Sequence, residues 1–171
     1  MNRMLTRLLL SMSLPLALGA GTDDWKTIAS KEGGFYILFP EMPTQHKEAA
    51  KTPAGAVTVT YYVLEKGGIT YVASFTGFPK ESVKPRTEEK RLDNARDGAV
   101  ASAKGKLEQE RKFNFRKYPA RELLIQGEKG FVRSRIYAVE NRLYQTVVMG
   151  ANQEVAGKDA SRFLDSFYLK Q

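Results

Sequence analysis

Cysteine is absent from all 171 residues, which excludes disulfide stapling, thiol chemistry and attachment of a lipid through an N-terminal cysteine. Histidine and tryptophan occur once each, as His46 and Trp25. A zinc site would therefore have to be completed by carboxylates, and a serine triad would have to depend on His46. His46 sits in a polar stretch beside Gln45 and Lys47, where a general base or metal ligand is conceivable and a solvated imidazole is the favoured reading. No GxSxG, Ser-x-x-Lys, HExxH, GxGxxG or P-loop pattern occurs, so no cofactor and no catalytic constellation is expected and the chain reads as a non-enzyme.

The N-terminus has the layout of a secretory signal peptide. A positive segment, Met1 to Arg7, precedes an apolar run from Leu8 to Ala20, with small residues before the polar Thr22-Asp23-Asp24. At thirteen residues, and interrupted by Pro15, that run falls short of the roughly 20 needed to span a bilayer. Cleavage is expected between Gly19 and Thr22, with the pairs Ala17/Gly19 and Gly19/Gly21 both suitable. The expectation is a leader over residues 1–21, a single α+β domain over 22–171, and a periplasmic or secreted destination.

Loss of the leader removes Arg3 and Arg7 and lowers the net charge from +8 to +6. A basic balance in a cytosolic chain suggests nucleic acid, but export replaces that partner with anionic lipid, acidic polysaccharide or an acidic protein surface. An envelope or secreted protein is the favoured partner, and no nucleic acid is expected.

The mature chain is organised around two β-rich runs that meet at Glu140-Asn141. In the first, Val132, Ser134, Ile136 and Ala138 alternate with Phe131, Arg133, Arg135 and Tyr137, the two-residue period of a strand. The second, Arg142 to Met149, has Leu143, Tyr144, Val147 and Val148 and suits burial on both faces. Earlier strands are predicted over Trp25–Ser30, Phe35–Phe39, Ala56–Glu65 and Ile69–Phe78, with a polar edge strand or arm over Thr44–Thr52 and turns at Pro53-Ala54-Gly55 and Lys66-Gly67-Gly68. Pro79 and Pro85 bracket a loop. A helix follows over Arg86–Lys104, with Thr87 as N-cap and Lys104-Gly105 as its stop. Further strands are expected over Lys106–Phe115 and Ala120–Gln126, and a closing helix over Glu154–Leu164. Connections this short imply an antiparallel sheet with helices packed on it.

Four features carry candidate chemistry. Glu89, Asp93 and Asp97 form an acidic stripe that could hold a hard cation, although Arg86, Lys90 and Arg96 lie at pairing distance and favour a charged helix face. The stretch RKFNFRKY, Arg111 to Tyr118, puts Phe113 and Phe115 on one side and Lys112, Asn114 and Arg116 on the other. With Lys117 and Arg121, it offers a basic face for an anionic ligand or membrane surface. Arg133 and Arg135 either pair across strands with carboxylates such as Glu122 or fork onto a ligand carboxylate or phosphate. The candidate contacts for an anion or partner are therefore Lys112, Arg116, Lys117, Arg121, Arg133 and Arg135.

The patch GGFYILFPEMP (Gly33 to Pro43), the strand-rich halves separated by one helix and the closing ASRFLDSFYL (Ala160 to Leu169) resemble small exported proteins of the PsbP-like superfamily. The resemblance implies an α/β/α sandwich around an antiparallel sheet, in proteins that act mostly as binding or assembly factors. Photosynthetic members assist a metal cluster, and related nuclear-transport members bind a small GTPase. No residues transfer either activity, since no second histidine joins His46 and no partner-specific motif matches.

Overall fold

The structure, a computed structural model, describes residues 24–52, 55–80 and 87–170. The expected leader and its cleavage site, the Pro53-Ala54 half of one turn, Pro85, Arg86 and the capping side chain of Thr87 lie outside the described residues. The elements run β1 (Lys26–Ser30), β2 (Phe35–Phe39), β3 (Thr44–Thr52), β4 (Gly55–Lys66), β5 (Ile69–Gly77) and α1 (Thr87–Ser102). They continue with β6 (Lys106–Phe115), β7 (Tyr118–Gly127), β8 (Gly130–Val139), β9 (Arg142–Gly150), α2 (Asn152–Val155), α3 (Lys158–Asp165) and β10 (Tyr168–Leu169).

Antiparallel sheet dominates, with few helices. A seven-stranded sheet has the order β3-β4-β5-β9-β8-β7-β6, so the hairpin of β8 and β9 lies at its centre. The alternation in β8 sorts its side chains as the sequence requires. Ile136 and Ala138 face α1, where Leu92, Leu123 and Ile125 are fully buried with them, and Val132 and the helix residues Ala95, Ala99 and Val100 pack around them. Full burial of each Leu or Ile here is worth about 1.5–3 kcal/mol. Small alanines on α1 let the helix lie close to the sheet.

The other face is built on aromatics. Phe167 stacks on Tyr137 at 4.7 Å and lies within 5.4 Å of Phe35, 5.5 Å of Tyr144 and 5.6 Å of Phe115, while Phe163 meets Phe39 at 4.9 Å. Ring pairs at these spacings contribute about 0.5–1.5 kcal/mol beyond burial alone. Phe35, Ile37 and Phe39 supply the β2 side of this core, as their shared face predicts.

Three features depart from the sequence reading. The closing helix is interrupted: Gly157 is extended (φ −68°, ψ 172°) and opens α3, so α2 and α3 are separate pieces. β1 and β2 do not join the main sheet but form a three-stranded sheet, β1-β2-β10, with the two-residue β10 that lies beyond the expected closing helix. At the end of α1 it is Lys104, not Gly105, that takes the left-handed conformation (φ 45°). Gly105 is needed for another reason: a Cβ there would collide with the Gln126 carbonyl oxygen of β7.

Candidate functional site

Strand β7 places two consecutive residues of opposite charge on opposite faces of the sheet, and each is surrounded by three side chains of the other sign. Arg121 points toward α1 and is only 1% exposed. Its Nη1 donates to Asp93 at 2.6 Å and to Glu110 at 2.8 Å, and its Nη2 donates to Glu89 at 2.7 Å. Arg96 joins the network through Asp97 at 2.8 Å and Glu110 at 3.4 Å. The hydrogen bond from Arg121 holds the Asp93 carboxyl below the ordinary aspartate range.

This cluster corrects two expectations. Arg121 is not a surface contact for an anion, because it is buried under α1 with its terminal nitrogens already committed to carboxylates. The acidic stripe is also held differently from the expected same-helix pairing. Arg96 does pair with it, but its principal cation is Arg121, 28 residues beyond Asp93 in the chain. Among the described residues, no group of three or more His, Asp or Glu side chains is arranged to hold a metal.

Glu122 points the other way, toward α3, and accepts from Arg111 Nη2 at 2.7 Å, Arg133 Nε at 2.9 Å and Arg135 Nε at 3.0 Å. Burial pushes its carboxyl upward, but the hydrogen bonds from Arg111 and Arg133 and the nearby Arg135 charge outweigh it, holding the group at about 2. Arg133 also donates to Ser161 Oγ at 3.0 Å, and Arg135 pairs with Asp165 at 2.7 Å and donates to the Leu164 carbonyl at 3.2 Å. A cation at the last turn of α3 opposes the negative end of the helix dipole. Arg133 and Arg135 therefore tie β8 to β7 and to α3, the cross-strand arrangement with Glu122.

Arg116 and Lys117 form the two-residue turn between β6 and β7, where Arg116 is left-handed (φ 57°). Both are exposed, and Arg116 Nη2 donates to the Leu169 carbonyl at 3.3 Å. Lys112 is exposed on β6, facing Glu89 at 3.9 Å. Phe113 and Phe115 turn inward and meet Tyr137 edge-on at 6.1 and 4.9 Å. The six candidate residues thus fall into three separate places. Lys112 and Arg121 lie on the α1 side, Arg133 and Arg135 on the opposite side, and Arg116 and Lys117 at one end of the sheet. His46 lies exposed on the edge strand β3, hydrogen bonded to Thr44 at 3.0 Å, at the far edge of the sheet from β6.

The concave feature that sequence reasoning missed is a cleft of about 750 Å³ between β6 and α2. A register shift between Leu107 and Gln109 breaks the β6 ladder at its rim. Glu108, Arg111, Glu122 and Arg133 supply alternating charge, and Leu124 and Ala156 supply apolar surface. Glu122 and Arg133 are held in place by the pairing described above. No signal in the sequence pointed to this cleft, because its walls come from β6, β7, β8 and α2.

No protein-family model matches the chain, and no curated protein matches it. Its structure is similar to that of cyanobacterial PsbP from Synechocystis, with a TM-score of 0.59 at 10% identity, covering 88% of this chain and 95% of that one. It is also similar to a Pseudomonas aeruginosa protein of unknown function, with a TM-score of 0.36 at 15% identity, covering 82% of this chain and 95% of that one. The first likeness supports the PsbP-like resemblance at the level of fold, and at this identity it speaks for the fold alone.

Proposed function

We propose that the chain is an exported, non-enzymatic binding or assembly module whose partner is an envelope or secreted protein. The observation that carries this reading is the cleft between β6 and α2. It combines an apolar wall with charged groups that are fixed by neighbouring pairs, the make-up of a recognition surface. With its carboxyl at about 2, Glu122 is a permanent anion at neutral pH and is unsuited to proton transfer. His46 lies across the sheet from the cleft and cannot serve it as a base. We read the layering, with α1 on one face and α3 with the small sheet on the other, as a PsbP-like α/β/α sandwich. Among the described residues, no helix is long and apolar enough to cross a membrane.

The test is affinity capture from an envelope extract with the wild-type protein and with Ala156→Arg, which fills the exposed rim of the cleft and leaves the Glu122 pairs intact. The reading expects specific proteins to be retained by the first and lost from the second while both unfold at the same urea concentration. Identical retention by both proteins, or none by the wild type, would sink it.

A further inference from the structure

The two ends of the seven-stranded sheet treat their charges differently. At the end formed by the β4–β5 turn, the β7–β8 turn and the close of α1, bases stand next to carboxylates. Lys66 pairs with Glu41 at 2.8 Å, Lys104 with Glu128 at 3.3 Å and Lys106 with Glu108 at 3.3 Å. At the opposite end, three turns and the β10 tail are laced together through backbone carbonyls. Arg142 donates to Gly33 O at 2.9 Å, the Lys170 N–H to Gly34 O at 2.8 Å, and Arg116 to Leu169 O at 3.3 Å. This brings Lys31, Arg116, Lys117 and Lys170 to one surface. All four are exposed, and none has an ion-pair partner among the described residues. Of the carboxylates on these turns, Glu32 is engaged by Lys47 at 2.7 Å and Glu140 accepts from the Tyr118 hydroxyl at 3.1 Å.

A second observation separates this end from an accidental cluster of bases. Tyr36 and Tyr168 lie across from each other in β2 and β10 and stack at 4.9 Å, nearly parallel. Their neighbours Phe35 and Leu169 face the core, so the tyrosines face outward, and Tyr168 is 49% exposed. Tyr168 is two residues from Lys170 and next to Leu169, whose carbonyl holds Arg116. Amphipathic rings beside unpaired lysine and arginine are the combination that settles at a headgroup layer, where the ring spans the apolar boundary and the cations meet lipid phosphate.

We propose that this end of the sheet docks on an anionic phospholipid surface, with Lys31, Arg116, Lys117 and Lys170 contacting headgroup phosphates and the Tyr36–Tyr168 stack seated at the interface. The surface is separate from the cleft, so the proposal goes beyond the protein-binding reading, and either can fail without the other. It narrows the basic face expected from sequence, keeping Arg116 and Lys117 and dropping Arg121.

The test is cosedimentation with phosphatidylcholine vesicles containing or lacking phosphatidylglycerol, using protein expressed as the full chain and purified in the form the cell leaves it. The wild type is expected to bind only the anionic vesicles and to release as salt rises. Lys31→Gln/Arg116→Asn/Lys117→Gln/Lys170→Gln is expected to weaken partitioning on the order of several-hundred-fold, since each base near the surface contributes about fivefold. Asparagine at 116 tolerates the left-handed backbone there. The control, Lys66→Gln/Lys104→Asn/Lys106→Gln/Lys129→Gln, removes the same charge from the opposite end and should bind within a few-fold of wild type. Tyr36→Ser/Tyr168→Ser should weaken binding to the anionic vesicles and lower the salt concentration at which they release the protein. Equal loss in both lysine variants, which would mean net charge alone is sensed, overturns the proposal. So does wild-type binding to an acidic peptide resin with none to anionic vesicles at low salt.

Discussion

Replacing Glu122 by glutamine should destabilise the protein in a pH-dependent way that only a buried, triply bonded carboxylate produces. The side chain of Glu122 is 15% exposed, and its carboxyl is held at about 2 against an ordinary 4.5. At about 1.4 kcal/mol for each pH unit, that depression corresponds to about 3 kcal/mol of folding stability. Because the folded carboxyl is the stronger acid, this contribution is complete above pH 4.5 and is lost as the pH falls through about 2. Glutamine keeps the shape but not the charge, leaving Arg111, Arg133 and Arg135 facing one another. Urea unfolding of wild type and Glu122→Gln from pH 7 to pH 2, read as two-state transitions, should show a gap of about 3 kcal/mol at pH 7 that narrows to about half a kcal/mol near pH 2. The comparison cancels the titration of other carboxylates. A gap that stays constant with pH, or one below about 1 kcal/mol at neutrality, would refute the assignment of Glu122 as the electrostatic centre of that face.

Other substitutions test other parts of the structure. Arg121→Met should cost about 2 kcal/mol in urea unfolding, below the 3–5 typical of a broken buried pair because Glu89 and Asp93 can turn to water, and Arg121→Lys should recover little since one ammonium cannot fork to three carboxylates. Gly105→Ala should lower the thermal midpoint more than any exposed alanine substitution, because its methyl would meet the β7 backbone, and an unchanged melting curve would contradict the close approach. Arg91 donates to the Glu140 carbonyl at 2.6 Å and to the Arg142 carbonyl at 3.3 Å, so Arg91→Ala should speed amide hydrogen exchange around the β8–β9 turn while leaving the β4–β5 turn unaffected.

Local patterns in the chain were enough to place the hairpins. Alternation assigned the two faces of β8 correctly, and Phe35, Ile37 and Phe39 on one side of β2 marked a core strand, because a side chain's face depends only on its neighbours two residues away. The antiparallel pairing followed from turns too short for crossovers. What was not legible depends on distant residues. Arg121 looked like a surface base because its carboxylates lie on α1 and β6, and nothing in its immediate neighbourhood shows that a helix covers it. The pairing of Glu122 with Arg133 and Arg135 could be read, since adjacent hairpin strands fix which residues face each other, but Arg111 as its third partner was not. Gly157 ended a helix that helical periodicity carried straight through. β10 was missed because two residues carry no period of their own, and only its pairing with β2 makes it a strand.

The placement of Arg121 and Glu122 back to back also disciplines how β7 aligns with its neighbours. Strand pairing by backbone hydrogen bonds alone is nearly indifferent to a shift by one residue, yet such a slip turns every side chain to the opposite face. Here a slip one way would put Arg121 where Glu122 sits, among three arginines, and a slip the other way would put Glu122 where Arg121 sits, among three carboxylates, so either shift turns three attractive contacts into three repulsive ones. Misaligned sheets are thereby excluded electrostatically as well as by exposure of Leu123 and Ile125. That gives a chain with no disulfide to fix its topology a second means of selecting a single alignment.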